Sequence, residues 1–113
     1  MMVEIEETEG ILFFRIGANL DAASAPDMHS QIDSLPKGAP QNCVVDLTGT
    51  EFMDSSGVGV LVKLYRRLSG NGGRLCICGA DDQPKSLINS LKIEQAIPLY
   101  PDPAAAIKSF RSS

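Results

Sequence analysis

The segment spanning residues 46–59 constrains the fold most, because it joins a buried strand to a helix through a polar, glycine-containing turn. Before it, residues 43–45 form a short apolar run that is typical of a buried strand. After it, apolar residues recur at helical spacing: Val58, Leu61, Val62, Tyr65 and Leu68. The sequence therefore predicts a strand, a loop and a helix over about Ser55–Ser69, with two serines at the junction.

Three side chains at this junction can cap the predicted helix: Asp54, Ser55 and Ser56. Each can place an oxygen on the free amides of the first turn. Gly57 and Gly59 leave that turn without bulk, so another surface could approach its backbone closely. Capping alone accounts for such a pattern in most proteins, and presentation of a serine hydroxyl is the alternative.

The rest of the chain alternates strand and helix signals. Residues 3–7 and 11–16 predict an antiparallel hairpin, and residues 17–21 a loop. The later elements are a helix begun by Ser24 and Pro26, a strand over 74–78, a helix near Pro84 that buries Leu87, Ile88 and Leu91, a strand over 97–100 and a last helix after Pro103. This order predicts an α/β fold with a mixed, mostly parallel sheet of four to five strands and about four helices.

Size and charge exclude several classes of protein. A chain of 113 residues suits one domain with one core. Its net charge of −4 gives no basic footprint for nucleic acid. The sequence has neither the run of roughly 18 apolar residues that a membrane span needs nor a signal peptide. We therefore expect a cytoplasmic protein without direct membrane insertion.

The three cysteines, Cys43, Cys76 and Cys78, are predicted to be buried thiols. Their odd number argues against a disulfide framework. Cys76 and Cys78 share one face of a predicted strand, but the single histidine, His29, lies on a distant helix, so the four ligands of a structural zinc site are not assembled. No metal and no cofactor are expected.

An enzymatic role for the serines fails on spacing. The Gly-x-Ser-x-Gly elbow of hydrolases requires glycine two residues before the nucleophile, and Met53 occupies that position before Ser55. His29 would have to reach the turn from the first helix to act as a base. The glycine pair Gly57 and Gly59 is too short for a nucleotide-binding loop.

Residues 46–61, DLTGTEFMDSSGVGVL, resemble the signature of the STAS family, and in particular the single-domain bacterial anti-sigma factor antagonists of the SpoIIAA type. The likeness extends upstream to residues 17–26 and downstream to residues 73–79 and the closing helix. It implies one STAS domain over residues 1–113, with the helices mainly on one face of the sheet.

The resemblance also implies a regulatory role and no enzymatic activity. In this family a partner that is both anti-sigma factor and serine protein kinase phosphorylates the serine after the aspartate, which is Ser55 here, with Ser56 as the second candidate. The unphosphorylated form binds that partner and releases the sigma factor, phosphorylation blocks binding, and a serine phosphatase reverses the block. The implied partner-binding residues are Asp21, Asp54, Ser55, Ser56, Gly57 and Gly59.

Two other roles are compatible with the same fold. One is a STAS subunit of a bacterial membrane lipid-transport ATPase complex, and the other is a scaffold component of a stress-sensing assembly. The intact turn at residues 54–57 favours the antagonist. One departure from the family pattern is Leu91 and Lys92, where antagonists often carry a small residue and glycine, and it puts the turn there in question.

Overall fold

The computed structural model describes residues 3–38 and 40–111. Its strands are β1 (Glu4–Thr8), β2 (Ile11–Arg15), β3 (Asn19–Leu20), β4 (Asn42–Asp46), β5 (Phe52–Met53), β6 (Leu75–Cys78) and β7 (Leu99–Tyr100). Its helices are α1 (Ala25–Asp33), α2 (Ser55–Ser69), α3 (Asp82–Ser90) and α4 (Pro103–Arg111), with a 3₁₀ turn at Ile93–Gln95.

The main sheet contains five strands in the order β1-β2-β4-β6-β7. Only β1 is antiparallel to its neighbour, and the other pairs are parallel. Successive parallel strands are added in one direction across the sheet, so the crossover helices α1, α2 and α3 fall on the same face. The predicted α/β fold with a mixed, mostly parallel sheet is confirmed.

The sheet is covered on both faces, but unequally. Helices α1, α2 and α3 bury the larger core, which includes Phe14, Leu20, Leu61 and Ile77. Among the described residues, helix α4 is the one helix that covers the other face, where Ala106 packs with Phe13 and Val44. The helices therefore lie mainly on one face, as the resemblance implied.

All three thiols are buried within this sheet. Cys76 and Cys78 lie together on the α4 face, as the strand period predicts, and Cys43 lies on the opposite face. Burial raises the pKa of the Cys43 thiol to about 12 and that of the Cys76 thiol to about 11. These thiols are core side chains in their neutral form.

The sequence did not predict the short strands β3 and β5, because a strand of two residues is too short to show alternation of apolar and polar side chains. β3 lies within the predicted loop over residues 17–21, and it pairs in parallel with β5, just before α2. Together they form a separate two-stranded ribbon beside the main sheet. This ribbon joins two segments that are more than 30 residues apart in the chain.

Ser24 precedes α1, as predicted, but a serine at this position is expected to cap the helix with its hydroxyl, and Ser24 does not. It occupies the N-cap position of α1, with proline in the first turn, but its hydroxyl makes no cap hydrogen bond. Its backbone is already helical at φ −92° and ψ −19°, so the side chain is not directed at the free amides. The Ser24 Oγ instead accepts from Asp21 N at 3.0 Å and donates to Asn19 O at 3.1 Å. Ser24 therefore fixes the loop that precedes α1.

The prediction that Leu91 is buried is wrong. Helix α3 ends at Ser90, so Leu91 sits beyond the last helical turn and is 53% exposed, whereas Ile88 is fully buried. Lys92 follows in the left-handed conformation, with φ 58°. The turn therefore forms without the glycine that the resemblance led us to expect there, at a cost of roughly 1 kcal/mol.

Across residues 3–38 and 40–111, none of the helices combines the length and the apolar character needed to cross a bilayer.

Candidate functional site

The predicted junction forms a strand-loop-helix turn at the N-terminus of α2. Asp54 is the N-cap residue, with an extended backbone, and α2 begins at Ser55. Asp54 Oδ1 accepts hydrogen bonds from Ser56 N at 2.9 Å and Gly57 N at 3.2 Å. Of the three residues that the sequence left open, Asp54 is therefore the cap, and both serines lie within the helix.

The same carboxylate ties α2 to the loop before α1. Asp54 Oδ2 accepts from Ala22 N at 3.3 Å, and Asp54 N donates to Leu20 O at 3.3 Å. The β3–β5 ribbon thus brings the loop of Asp21 beside the serine turn.

Asp21 acts as a turn former in this loop. Its Oδ1 accepts from Ala23 N at 3.1 Å and from Ser24 N at 3.2 Å. This pattern is an Asx turn, which presets the chain direction into α1. The carboxylates of Asp21 and Asp54 therefore both accept hydrogen bonds from backbone amides. Neither forms an ion pair within the described ranges. A contact of Asp21 with a partner stays a prediction.

The two serines differ in accessibility. Ser55 occupies the first helical position and is exposed, whereas Ser56 is half-buried. Neither hydroxyl has a hydrogen-bond partner among the residues that the structure describes. Ser55 is thus a hydroxyl presented on a backbone that Asp54 has already capped.

The glycines have separate roles. Gly57 is buried, and a Cβ on it would lie 2.2 Å from Leu20 O and 2.8 Å from Met53 Cγ. Gly59 is exposed, and a Cβ there would meet nothing within 4 Å. The predicted close approach to the backbone occurs at Gly57 inside the domain and not at its outer surface, because the missing side chain lets α2 pack against β3. Gly59 alone contributes an open surface.

Two residues of the site were missed by the sequence analysis. Gln83, in the first turn of α3, accepts from Met53 N at 2.8 Å and donates to Met53 O at 2.9 Å. Phe52 is 44% exposed, only three residues before Ser55. No local pattern links Gln83 to Met53 across 30 residues of chain, and β5 is too short for its sequence to show which of Phe52 and Met53 faces outward.

The serine turn, residues 54–57, lines neither of two grooves in the described part of the chain, although one of about 130 Å³ lies in the neighbouring loop, at Asn19, Asp21, Ala23 and Ser24. A groove of about 300 Å³ lies elsewhere, between the start of β6 and α4, where Arg74 stacks over the Phe110 ring at 5.0 Å. Its lining includes Tyr65 and Tyr100 but none of the turn residues. The exposed turn therefore suits contact with a macromolecule better than enclosure of a small ligand.

Removal of the cap should destabilise the domain. We expect Asp54→Ala to lower the free energy of unfolding by about 1–2 kcal/mol, because Ser56 N, Gly57 N and Ala22 N lose their acceptor. Asp54→Asn keeps one acceptor oxygen and should lose less than half as much. Urea denaturation of the three proteins provides the measurement. Equal stability of Asp54→Ala and the wild type would contradict the assigned cap.

Comparisons with known proteins agree with this architecture. The STAS domain model matches residues 2–106. An anti-sigma F factor antagonist of Paenibacillus polymyxa is 25% identical over 108 residues, which cover 95% of this chain and 92% of that protein. The crystal structure of an anti-sigma factor antagonist from Mycobacterium paratuberculosis matches with a TM-score of 0.86 at 23% identity, over 97% of this chain and 93% of that one.

SpoIIAA is a further structural neighbour, solved in two forms. Its unphosphorylated form matches with a TM-score of 0.75 at 23% identity, over 98% of this chain and 99% of that one. The phosphorylated form of the Bacillus protein gives the same TM-score at 20% identity, over 96% and 98%. Because the family model spans nearly all of the residues that build the sheet, the helices and the serine turn, this chain belongs to the STAS domain family.

Proposed function

We propose that this protein is an anti-sigma factor antagonist that works by partner switching in the cytoplasm. The observation that carries the proposal is the exposed Ser55 hydroxyl, which has no hydrogen-bond partner among the described residues, at a helix start that Asp54 caps. The names of its relatives support it, since the Paenibacillus polymyxa protein is an anti-sigma F factor antagonist. In the proposed cycle the unphosphorylated form binds an anti-sigma factor that is also a serine kinase, and the sigma factor is released.

Phosphorylation of Ser55 ends the cycle, and a serine phosphatase restarts it. A phosphate adds about −1.5 to −2 charge at pH 7. Ser56 N and Gly57 N are already bonded to Asp54, so these amides are not available to neutralise it. The new charge therefore stays at the surface, beside the Asp54 carboxylate, where it opposes a partner that packs on the turn. Because Ser55 is exposed, the modification leaves the core intact.

The proposed docking surface consists of the exposed residues around the turn. Ser55 and Gly59 lie on the outer side of α2, and Phe52 offers an exposed aromatic ring next to them in the chain. The residues that support this surface from below or lie at its margin are Asp21, Asp54, Ser56 and Gly57. An aromatic side chain beside a small, flat patch is a common anchor of protein interfaces.

Peptide mass spectrometry on the protein isolated from its own cells, during growth and under stress, tests this function. We expect one phosphate, on Ser55, with an occupancy that changes with condition. Ser55→Ala should abolish it, whereas Ser56→Ala should retain it. A phosphate confined to Ser56 would move the proposal to that residue. The absence of phosphate under every condition would favour a transporter subunit or a scaffold role, with Ser55 reduced to a helix-start residue.

A further inference from the structure

The backbone N–H and C=O of Met53, in strand β5, both form hydrogen bonds with one side chain of helix α3. Gln83 Oε1 accepts from Met53 N at 2.8 Å, and Gln83 Nε2 donates to Met53 O at 2.9 Å. Met53 is fully buried and directly precedes the cap residue Asp54. The carboxamide thus fixes the peptide groups on which the serine turn is built.

The geometry of the ribbon explains why this contact is needed. β5 pairs with β3 through the peptide groups of Phe52, so the N–H and C=O of Met53 point to the opposite edge. A two-stranded ribbon of two residues per strand has little stability of its own. Gln83 occupies the open edge with one acceptor and one donor, as a third strand would.

The start of α3 is shaped to present this side chain. Asp82, directly before Gln83, has φ 45°, a conformation that costs a non-glycine residue roughly 1 kcal/mol. Asp81 caps the helix by accepting from Asp82 N at 2.9 Å. Buried Pro84 follows and anchors the first turn. A strained residue between two anchors indicates that the orientation of Gln83 is imposed by the fold.

We propose that Gln83 is a positioning residue for Ser55, so that α3 determines the geometry of the turn that the partner kinase and the anti-sigma factor recognise. The proposal rests on the proposed function for its biological consequence. Its structural part concerns the isolated protein and does not depend on a partner. Gln83 acts through Met53 and Asp54, and it does not itself carry the phosphate.

Three variants separate positioning from general stability. Gln83→Met keeps the length of the side chain but loses the paired hydrogen bonds, Gln83→Glu keeps the acceptor but loses the donor, and Lys85→Ala alters an exposed residue of the same helix. In Gln83→Met we expect the Met53 amide to exchange with solvent roughly fivefold to tenfold faster, as loss of one such bond predicts. The NMR signals of Ser55, Ser56 and Gly57 should shift, while those of the core strands stay in place.

The glutamate variant supplies a readout that a merely structural role would not give. At pH 7 its carboxylate repels Met53 O. When the pH falls through about 4.3, the protonated acid can donate to Met53 O and accept from Met53 N. The signals of the turn should therefore return toward those of the wild type at low pH. Wild-type spectra recorded at the same pH values are the control for changes that do not depend on residue 83.

The outcomes distinguish this proposal from the proposed function. Unchanged Met53 exchange and unchanged turn signals in Gln83→Met would overturn the positioning role, whether or not Ser55 is phosphorylated. With the partner kinase in hand, kcat/KM for Ser55 should fall at least fivefold in Gln83→Met and stay unchanged in Lys85→Ala. A shifted turn that is phosphorylated at the wild-type rate would also overturn it. If no kinase exists, the exchange data still decide the structural part.

Discussion

Gly57→Ala is expected to lower the free energy of unfolding by about 3 kcal/mol, at the upper end of what overpacking costs. The added Cβ would lie 2.2 Å from the carbonyl oxygen of Leu20, which is backbone and cannot rotate away. It would also lie 2.8 Å from Met53 Cγ, so both the ribbon and the first turn of α2 would have to move. Since Asp54 N bonds to that same carbonyl at 3.3 Å, the cap should weaken too.

Gly59→Ala is the matched control, two residues further along the same helix. A Cβ there meets nothing within 4 Å, and alanine is a better helix former than glycine. We expect this variant to be more stable than the wild type by up to about 1 kcal/mol. Urea denaturation of both variants measures the difference. Equal effects of the two substitutions would contradict the close packing of α2 against β3.

These glycines also differ as probes of binding. Because Gly57→Ala disturbs the turn itself, a loss of partner affinity in that variant would not identify a contact. Gly59→Leu adds bulk only to the open surface, so it reports on whether a partner approaches there. The pair thus separates a residue that shapes the surface from one that lies on it.

The sequence was most informative where the signals are local. The apolar repeat of α2, preceded by Asp54 and two serines, placed the helix start within one turn, because capping and periodicity act over that distance. Alternation of strand and helix signals predicted a mixed, mostly parallel sheet, since parallel neighbours require crossovers. The shared face of Cys76 and Cys78 followed from the strand period alone.

The sequence could not reveal contacts that depend on tertiary structure. The paired hydrogen bonds between Gln83 and Met53 join residues 30 positions apart. No sequence pattern marks an exposed glutamine near a helix start as a partner for a distant strand. The choice of Asp54 as the cap depends on its extended backbone, which neighbouring polar residues do not specify. Gly57 appeared to be a surface feature because the packing of β3 against α2 is invisible in a two-residue strand. Leu91 was misplaced because the helical period was continued one residue past the end of α3.

Ser55→Asp is expected to weaken binding of the anti-sigma factor at least about a hundredfold, while Ser55→Ala stays within a few-fold of the wild type. The added carboxylate would lie beside Asp54, with Ser56 N and Gly57 N already occupied, so it gains no compensating hydrogen bond from the turn. A partner that packs on α2 would have to desolvate this charge, which costs several kilocalories per mole. Stability should hardly change, because the Ser55 hydroxyl has no partner to lose among the described residues.

Ser30→Asp is the charge-matched control, since it adds the same charge at an exposed position of α1 and should bind as the wild type does. Calorimetric titration uses the anti-sigma factor captured by the Ser55→Ala protein and identified by mass spectrometry. If the loss were only long-range repulsion, it would largely disappear when the salt is raised from 0.1 M to 1 M, where the screening length falls from about 10 Å to about 3 Å. A loss that persists in high salt places the charge inside the interface. Native affinity of Ser55→Asp would argue against a phosphorylation switch at this turn, because the position would then tolerate the very charge that is proposed to end binding.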